Sequence, residues 1–393
     1  MKNKGEFKEI PLELIKPEWG SRLATLIFEL EELRTKRLFS RDVPSYIFFQ
    51  LKEIFHTLES LGSARIEGNR TTLAEFVEKK IQGKTRTDES SREIDNIENA
   101  LHFLHKTIKK NTEINRTILS EVHKTITKEL TPPPDGEGSL RPGELRNINP
   151  EITGSSIVLI DYLQVPNYFD ELLSFVNQKT EKANDLLVMA LAHHRFAWIH
   201  PFDNGNGRLV RLLTYAMLIK QGFQVKNGSI LNPTAMFCMD RQKYYDMLAG
   251  ADTGKRDKVI EWCEYVLSGL KMEIEKIDKL LDQDYLVNSI LVPVFNFSLE
   301  NKWITDREYK ILTFIISQKD MRVKAGDIGK VLNEDSSVQR SRIIAKLKEK
   351  KMVMPLTENG RIYTIAFGNN YLLRGIVEVL SKEGFVANLD KKL

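Results

Sequence analysis

The sequence predicts a mainly α-helical protein with one short β-hairpin and a distinct C-terminal part. Three observations lead there. Apolar residues recur at helical spacing through Leu281, strand-like stretches are few and short, and the texture changes beyond Asn301. Ile54, Phe55, Leu58 and Leu61 place one amphipathic helix between about Pro44 and Ser63. Ile94, Ile97, Leu101 and Leu104 place a second between Ser91 and Ile108. Ile118, Val122 and Ile126 mark a third, stopped by Thr131-Pro132-Pro133-Pro134-Asp135-Gly136. From Arg141 to Val165 the chain is irregular, and Ile157-Val158-Leu159-Ile160 is its one good strand candidate, so a hairpin is expected there. Helical patterns resume at Tyr168–Val176, Leu186–Trp198, Tyr244–Leu248 and from Lys258 to about Leu281.

Past Asn301, Thr305-Asp306-Arg307-Glu308 has the form of an N-cap and first turn before Ile311, Leu312, Phe314 and Ile315. Lys324–Leu332 and Ser336–Lys350 follow as two more helices. Then come Met352-Val353-Met354-Pro355-Leu356 and Ile362-Tyr363-Thr364-Ile365 about an Asn359-Gly360 turn. Three helices and a two-stranded wing resemble a winged-helix domain with Val338–Lys350 in the recognition position. The expected division is an N-terminal helical region over residues 1–110, a core over 111–285 and the winged-helix part over 300–393, with the boundary near 285–303.

A chain of 393 residues has room for two or three domains. The net charge of +4 is too small to require a nucleic-acid partner, so the local clustering of basic residues matters more. Cys238 and Cys263 are the only cysteines and form no metal-spaced pair, which excludes a disulfide scaffold and fits a reducing cytoplasm. No apolar run has the length of a secretory or membrane-spanning segment. The expectation is a soluble cytoplasmic protein with no membrane partner; a homodimer is compatible with the sequence.

The chemistry concentrates in His200-Pro201-Phe202-Asp203-Asn204-Gly205-Asn206-Gly207-Arg208-Leu209-Val210-Arg211. An apolar helical run follows, so the Gly-Asn-Gly turn falls at a helix N-terminus, where unpaired N–H groups and the dipole favour an anion. Gly205 and Gly207 let the backbone approach a ligand closely, and Arg208 and Arg211 can fork onto phosphate oxygens. His200 stands at the mouth as a proton acceptor. No Gly-x-x-x-x-Gly-Lys-Ser/Thr loop occurs, so a P-loop mechanism has no support.

This order of residues resembles the signature of Fic-domain proteins. Ala192–Ile199 resembles the helix leading into that signature, and Arg241-Gln242-Lys243-Tyr244-Tyr245-Asp246-Met247-Leu248 the family's later Tyr-Tyr helix. The resemblance covers most of residues 40–280. It implies a Fic-type helical core with a small hairpin flap, and transfer of AMP from ATP onto a Ser, Thr or Tyr hydroxyl of a protein or of the chain itself. His200 would be the base. The backbone of Gly205–Gly207, the Asn206 amide and Arg208 would meet phosphate charge, and Arg211 would hold the γ-phosphate. Phe202 reads as a core anchor. The family usually carries Asp or Glu where this chain has Asn204, which leaves the liganding of Mg²⁺ or Mn²⁺ open between the Asn204 amide oxygen and the neighbouring Asp203.

Far upstream, Ser63-Ala64-Arg65-Ile66-Glu67-Gly68 resembles the family's inhibitory motif. Residues at i and i+4 share a helix face, so Ser63 and Glu67 can point at one target. The resemblance makes that target Arg211. The bland alternative is a surface glutamate near a helix end closed by Gly68. Tyr244 and Tyr245 are candidates for the adenosine pocket, one of them packing in the core, and Asp252 stands where relatives often have Asn. His56, His102, His105 and His123 read as structural or surface residues. The stretch from Arg146 to Gly154 with Ile157–Ile160 holds the place of the flap. Arg340, Arg342, Lys346, Lys348, Lys350, Lys351 and Arg361 form a basic surface suited to DNA or to a protein partner. The rival to an autoinhibited adenylyltransferase is therefore a DNA- or protein-binding regulator with a nucleotide-binding, weakly active core.

Overall fold

Helical periodicity is realised as a shell of helices around two central ones. The computed structural model describes residues 7, 9–35, 43–82, 88–150, 158–223, 235–332, 336–358, 360–368 and 370–386. The N-terminal part holds α1 (Arg22–Thr35), α2 (Ser45–Ile66), α3 (Leu73–Gln82), α4 (Glu89–Thr107) and α5 (Arg116–Thr127). Asp88 and Asn115 start α4 and α5 by accepting the Ser91 and Ile118 amides, which satisfies first-turn N–H groups. Gly68, at φ +114°, ends the path of α2.

Next come α6 (Val165–Asn177), α7 (Lys182–Ile199) and α8 (Asn206–Lys220). From Leu186 to Ile199 every residue of α7 but Ala197 is buried, and from Arg208 to Ile219 every residue of α8 is. A helix apolar on all sides belongs in an interior. The loop 200–205 joins these two helices, so the motif is set in the middle of the core. α9 (Ala235–Cys238), α10 (Arg241–Ala251) and α11 (Arg256–Leu280) cover it on one side. Trp262 of α11 is fully buried and its Nε1–H donates to the Ala190 carbonyl of α7 at 2.7 Å.

The stretch expected to contain a boundary is helical. α12 (Gln283–Tyr285) runs through a π-turn at Leu286–Leu291 into α13 (Val292–Glu300). α14 (Asp306–Ser317) starts with the expected Thr305/Glu308 capping box. It is followed by β1 (Arg322–Lys324), α15 (Ala325–Leu332), α16 (Ser337–Glu349), β2 (Val353–Pro355), β3 (Ile362–Ile365) and α17 (Leu372–Lys382). The strands make an antiparallel sheet in the order β1-β3-β2, with Arg322 opposite Thr364 and Val353 opposite Ile365. At three residues, β1 is too short for alternation to reveal it. Asn359 of the β2–β3 turn lies outside the described residues. In the expected upstream hairpin Ile157 also lies outside them, and Val158–Ile160 form no strand.

This C-terminal part grips α2. Gln50 Nε2 donates to the Ile365 carbonyl and Gln50 Oε1 accepts the Phe367 N–H, both at 3.0 Å. The Tyr46 hydroxyl donates to the Asp320 carbonyl. Arg374 of α17 pairs with Glu78 of α3 through two nitrogens. No helix among the described residues is long and apolar enough to cross a membrane.

Replacing Trp262 by Ala removes the wedge between α7 and α11. It should cost about 3–5 kcal/mol, read as a lowered midpoint in denaturant unfolding with circular dichroism.

Candidate active site

α7 ends at His200, whose φ of 51° and ψ of 61° put it in the left-handed region. Such a conformation costs a residue with a side chain about 1–3 kcal/mol, so it must be held. Arg146 holds it. Its Nε donates to the His200 carbonyl and its backbone N–H to the Pro201 carbonyl, both at 2.9 Å. The rest of the buried guanidinium reaches the Ile148 and Ile160 carbonyls and Asn149 Oδ1. Arg146, at the start of the stretch expected to hold the flap, thus ties that segment to the end of α7.

The loop is stapled by its own polar side chains. Asn206 Nδ2 donates to the Phe202 carbonyl at 2.9 Å and Asn206 Oδ1 accepts the Phe202 N–H at 3.0 Å. This corrects the expectation for Asn206: its side-chain amide braces the loop and does not face the cradle. Asp203 accepts from the Ser139 hydroxyl at 2.6 Å, the Leu140 N–H at 2.8 Å and the Asn204 N–H at 3.0 Å. Asn204 Oδ1 accepts the Gly205 N–H at 2.7 Å and its Nδ2 donates to the Gly138 carbonyl at 3.1 Å. The side-chain oxygen of the expected metal ligand Asn204 thus accepts a bond within the loop, and both oxygens of Asp203 accept bonds from the 139–140 turn or the loop. Gly205 opens α8 at φ +73°, a turn that favours glycine.

Phe202 is fully buried, as an anchor should be, and stacks on His123 with ring centroids 4.1 Å apart. His123 Nδ1 accepts the Gly143 N–H at 2.8 Å, which fixes the tautomer, and Nε2–H donates to the Asn204 carbonyl at 3.0 Å. Burial pushes its pKa down to about 4, so it is neutral near pH 7.

An anion already sits at the N-terminus of α8. A Cβ added at Gly207 would collide with the Glu67 carboxylate, so only glycine admits the group there. Glu67 Oε1 accepts from Arg211 Nη2 at 2.8 Å. Arg211 also donates from Nε to the Ser63 hydroxyl and from Nη2 to the Ser63 carbonyl, both at 2.9 Å. Ser63 and Glu67 thus converge on Arg211, which is only 1% exposed. Burial alone would raise the Glu67 carboxyl, but Arg211 and then Arg208 outweigh it and hold the group below the ordinary carboxylate value.

Arg208 is fully buried, with Nη1 2.9 Å from Glu93 Oε1 and Nη2 3.1 Å from Glu137 Oε2. Glu93 in turn accepts from Asn69 Nδ2 at 2.8 Å. In this state Arg208 is committed to carboxylates and presents no exposed surface to a phosphate. His200 is partly buried. Burial and then the Arg146 charge depress its pKa to about 4, against opposing effects of Glu67 and the Ala197 backbone. Its imidazole is neutral near pH 7 and able to take a proton.

The two tyrosines divide. Tyr244 is 2% exposed, and its hydroxyl meets His193 Nε2 at 2.8 Å within a cluster of Phe237 and Trp262. Tyr244 is therefore a core residue and does not line a nucleotide pocket. Tyr245 is 39% exposed, lies near Arg241, and feels the charges of Glu67 and Arg211. Asp252 Oδ1 is 2.9 Å from His194 Nε2 and ties α10 to α7.

Residues 113–218 match the model of the Fic/DOC family. That stretch is similar to a Fic domain. A protein adenylyltransferase Fic from Aedes aegypti is 26% identical over 51% of this chain and 37% of that relative. One from Culex quinquefasciatus is 27% identical over 59% and 46%. The chain spans less than half the length of these curated relatives. The fold is similar to that of a Fic family protein from Desulfovibrio desulfuricans, with a TM-score of 0.55 at 17% identity over 91% of this chain and 98% of that one. A Fic domain containing signaling protein from Bacteroides thetaiotaomicron gives 0.51 at 18% identity, over 66% and 97%.

The sequence reading did not single out Glu93 or Glu137, and it placed His123 among the structural or surface histidines and Arg146 in the flap stretch without their contacts to the loop. All four lie in segments the motif does not reach. Their contacts with Arg208, Asn204 and His200 depend on how α4, α5 and the 137–146 loop fold over it.

His123 gives the fold a pH signature. Its folded value of about 4 lies below the ordinary 6.5, so the unfolded chain takes up this proton first as pH falls. The stability associated with neutral His123 is complete above pH 6.5 and is lost toward pH 4, by about 3 kcal/mol. His123→Gln should flatten the pH dependence of unfolding in that window, as measured by urea titrations at stepped pH.

Proposed function

We propose that the chain is a protein adenylyltransferase held off by Glu67. The observation that carries this reading is the Glu67 carboxylate lodged over Gly207 and paired with Arg211, at the place where the motif offers a phosphate its backbone and its cation. The relatives named protein adenylyltransferase Fic supply the reaction class. With Glu67 withdrawn, ATP would set its terminal phosphates on the first-turn N–H groups of α8 and on Arg211. Tyr245, the exposed member of the tyrosine pair, borders the cradle on the adenosine side.

A Ser, Thr or Tyr hydroxyl of a protein then gives its proton to neutral His200, and its oxygen attacks the α-phosphorus. The bond from that phosphorus to the bridging oxygen breaks, and pyrophosphate leaves with the electron pair. Arg146 keeps His200 in its left-handed pose, and the depressed pKa keeps the imidazole unprotonated. A divalent cation, Mg²⁺ or Mn²⁺, would neutralise the triphosphate when bound. A second role is supported by the exposed side chains of Arg342, Lys346, Lys348, Lys351 and Arg361 on α16 and beside the strands. They suit the phosphate backbone of a duplex, for which the test is binding that weakens with salt.

Incubated with labelled ATP, Glu67→Gly should incorporate label about tenfold or more above the wild type. His200→Ala on that background should lose it by about a hundredfold or more. Glu67→Gly should also melt earlier, because Arg211 loses its partner, and should recover stability on adding ATP. Equal labelling of wild type and Glu67→Gly would remove the inhibitory role, and labelling that survives His200→Ala would remove the catalytic one. Glu67 raises the His200 pKa and its loss only lowers it, so kcat/KM of Glu67→Gly should hold well below pH 6.5 before its acid limb appears.

A further inference from the structure

Three carboxylates, Glu67, Glu93 and Glu137, crowd the two buried arginines of α8. The ion pairs of Glu67 and Glu93 account for their positions: Glu67 closes the cradle on Arg211, and Glu93, 4% exposed, neutralises Arg208 from below. Glu137 differs. It belongs to no helix, it follows the Pro132–Pro134 stop, and 39% of its side chain is exposed at the mouth of the cradle. Its carboxylate lies beside the Asn204 side chain and 3.1 Å from Arg208 Nη2.

We propose that Glu137, rather than Asn204 or Asp203, supplies the protein carboxylate for the divalent cation that accompanies a nucleotide triphosphate into the cradle. This rests on the nucleotide reading given above. The argument is one of donors. Hard dications select carboxylate, phosphate and water oxygens. Asn204 brings no charge, and its oxygen serves the Gly205 N–H. Both oxygens of Asp203 serve the 139–140 turn and the loop. Glu137 comes to the foot of the loop from another segment, beside Arg208, and brings the missing charge.

Glu137 can also turn without stranding Arg208. Arg208 Nη2 donates to the Glu137 backbone carbonyl at 2.6 Å, and Nη1 stays beside Glu93. The guanidinium therefore keeps partners on both arms when the Glu137 carboxylate takes an ion. Glu89 lies close enough for its charge to be felt at Glu137, which favours a cation there.

The test uses the full chain carrying Glu67→Gly, with an ATP analogue that cannot be cleaved between the α- and β-phosphates. Mn²⁺ binding is followed by loss of the free-ion electron paramagnetic resonance signal, and metal-free nucleotide binding by calorimetry with a chelator. Glu137→Gln should weaken Mn²⁺ in the nucleotide complex by about tenfold or more while leaving metal-free nucleotide binding unchanged. Adding Asn204→Asp to that variant should restore the ion, because it returns a carboxylate to the neighbouring position. Unchanged Mn²⁺ affinity in Glu137→Gln overturns the proposal. So does a parallel loss of metal-free nucleotide binding, which marks Glu137 as a loop brace, or a failure of Asn204→Asp to restore the ion. Absence of nucleotide binding to Glu67→Gly itself is a different failure, that of the cradle reading, and is seen before any change at Glu137.

Discussion

A guanidinium with almost no exposed surface needs partners for its donors and its charge, and much of this site follows from how that need is met at Arg211. Leaving such a charge unpaired in the interior costs about 3–5 kcal/mol. Here the partner is Glu67, and the space it fills is the space above the Gly207 backbone. The geometry leaves room for one anion at that spot. On the reading proposed above, Glu67 and a phosphate compete for that spot, and exchanging one for the other keeps Arg211 paired throughout.

The motif divides into residues that build the loop and residues left for chemistry. Phe202, Asp203, Asn204 and Asn206 spend their side chains on packing or on hydrogen bonds that fix the backbone between α7 and α8. His123 and Arg146 brace it from outside, the first at the Asn204 carbonyl and the second at those of His200 and Pro201. What remains is a neutral imidazole, a row of first-turn amides and one cation. A catalytic group is precise when its supports are locked, and here most of the polar letters of the motif are such supports.

Much of the helical layout was legible because it rests on local periodicity. α2, α4, α5, α7, α11, α14 and α16 follow their apolar spacing, and the Thr305/Glu308 capping box is a four-residue signal. The place of the motif was also readable, and so was the shared target of Ser63 and Glu67, since a spacing of four on a helix fixes a shared face; that the target is Arg211 came from the family resemblance. The roles of Asn206 and Tyr244 were not. Whether an amide faces a ligand or its own loop is decided by the loop's backbone path, here the Asn206–Phe202 bonds, and which of two adjacent tyrosines turns inward depends on the packing of α9, α10 and α11 around His193. Glu93 and Glu137 were illegible because their partner lies far along the chain, and a lone glutamate in a polar stretch carries no pattern of its own.

The helix that carries Glu67 has a second end. α2 is a continuous rod of 22 residues, about 33 Å long at helical rise. Ser63 sits near one tip, over the phosphate cradle. Tyr46 and Gln50 sit near the other, bonded to the backbone around β1 and β3. An unbent rod moves as one body, so a shift at one tip is a translation of both or a pivot about the other. The bonds at Tyr46 and Gln50 make the far tip such a pivot, and they tie the helix that ends at Glu67 to residues near 320 and 365.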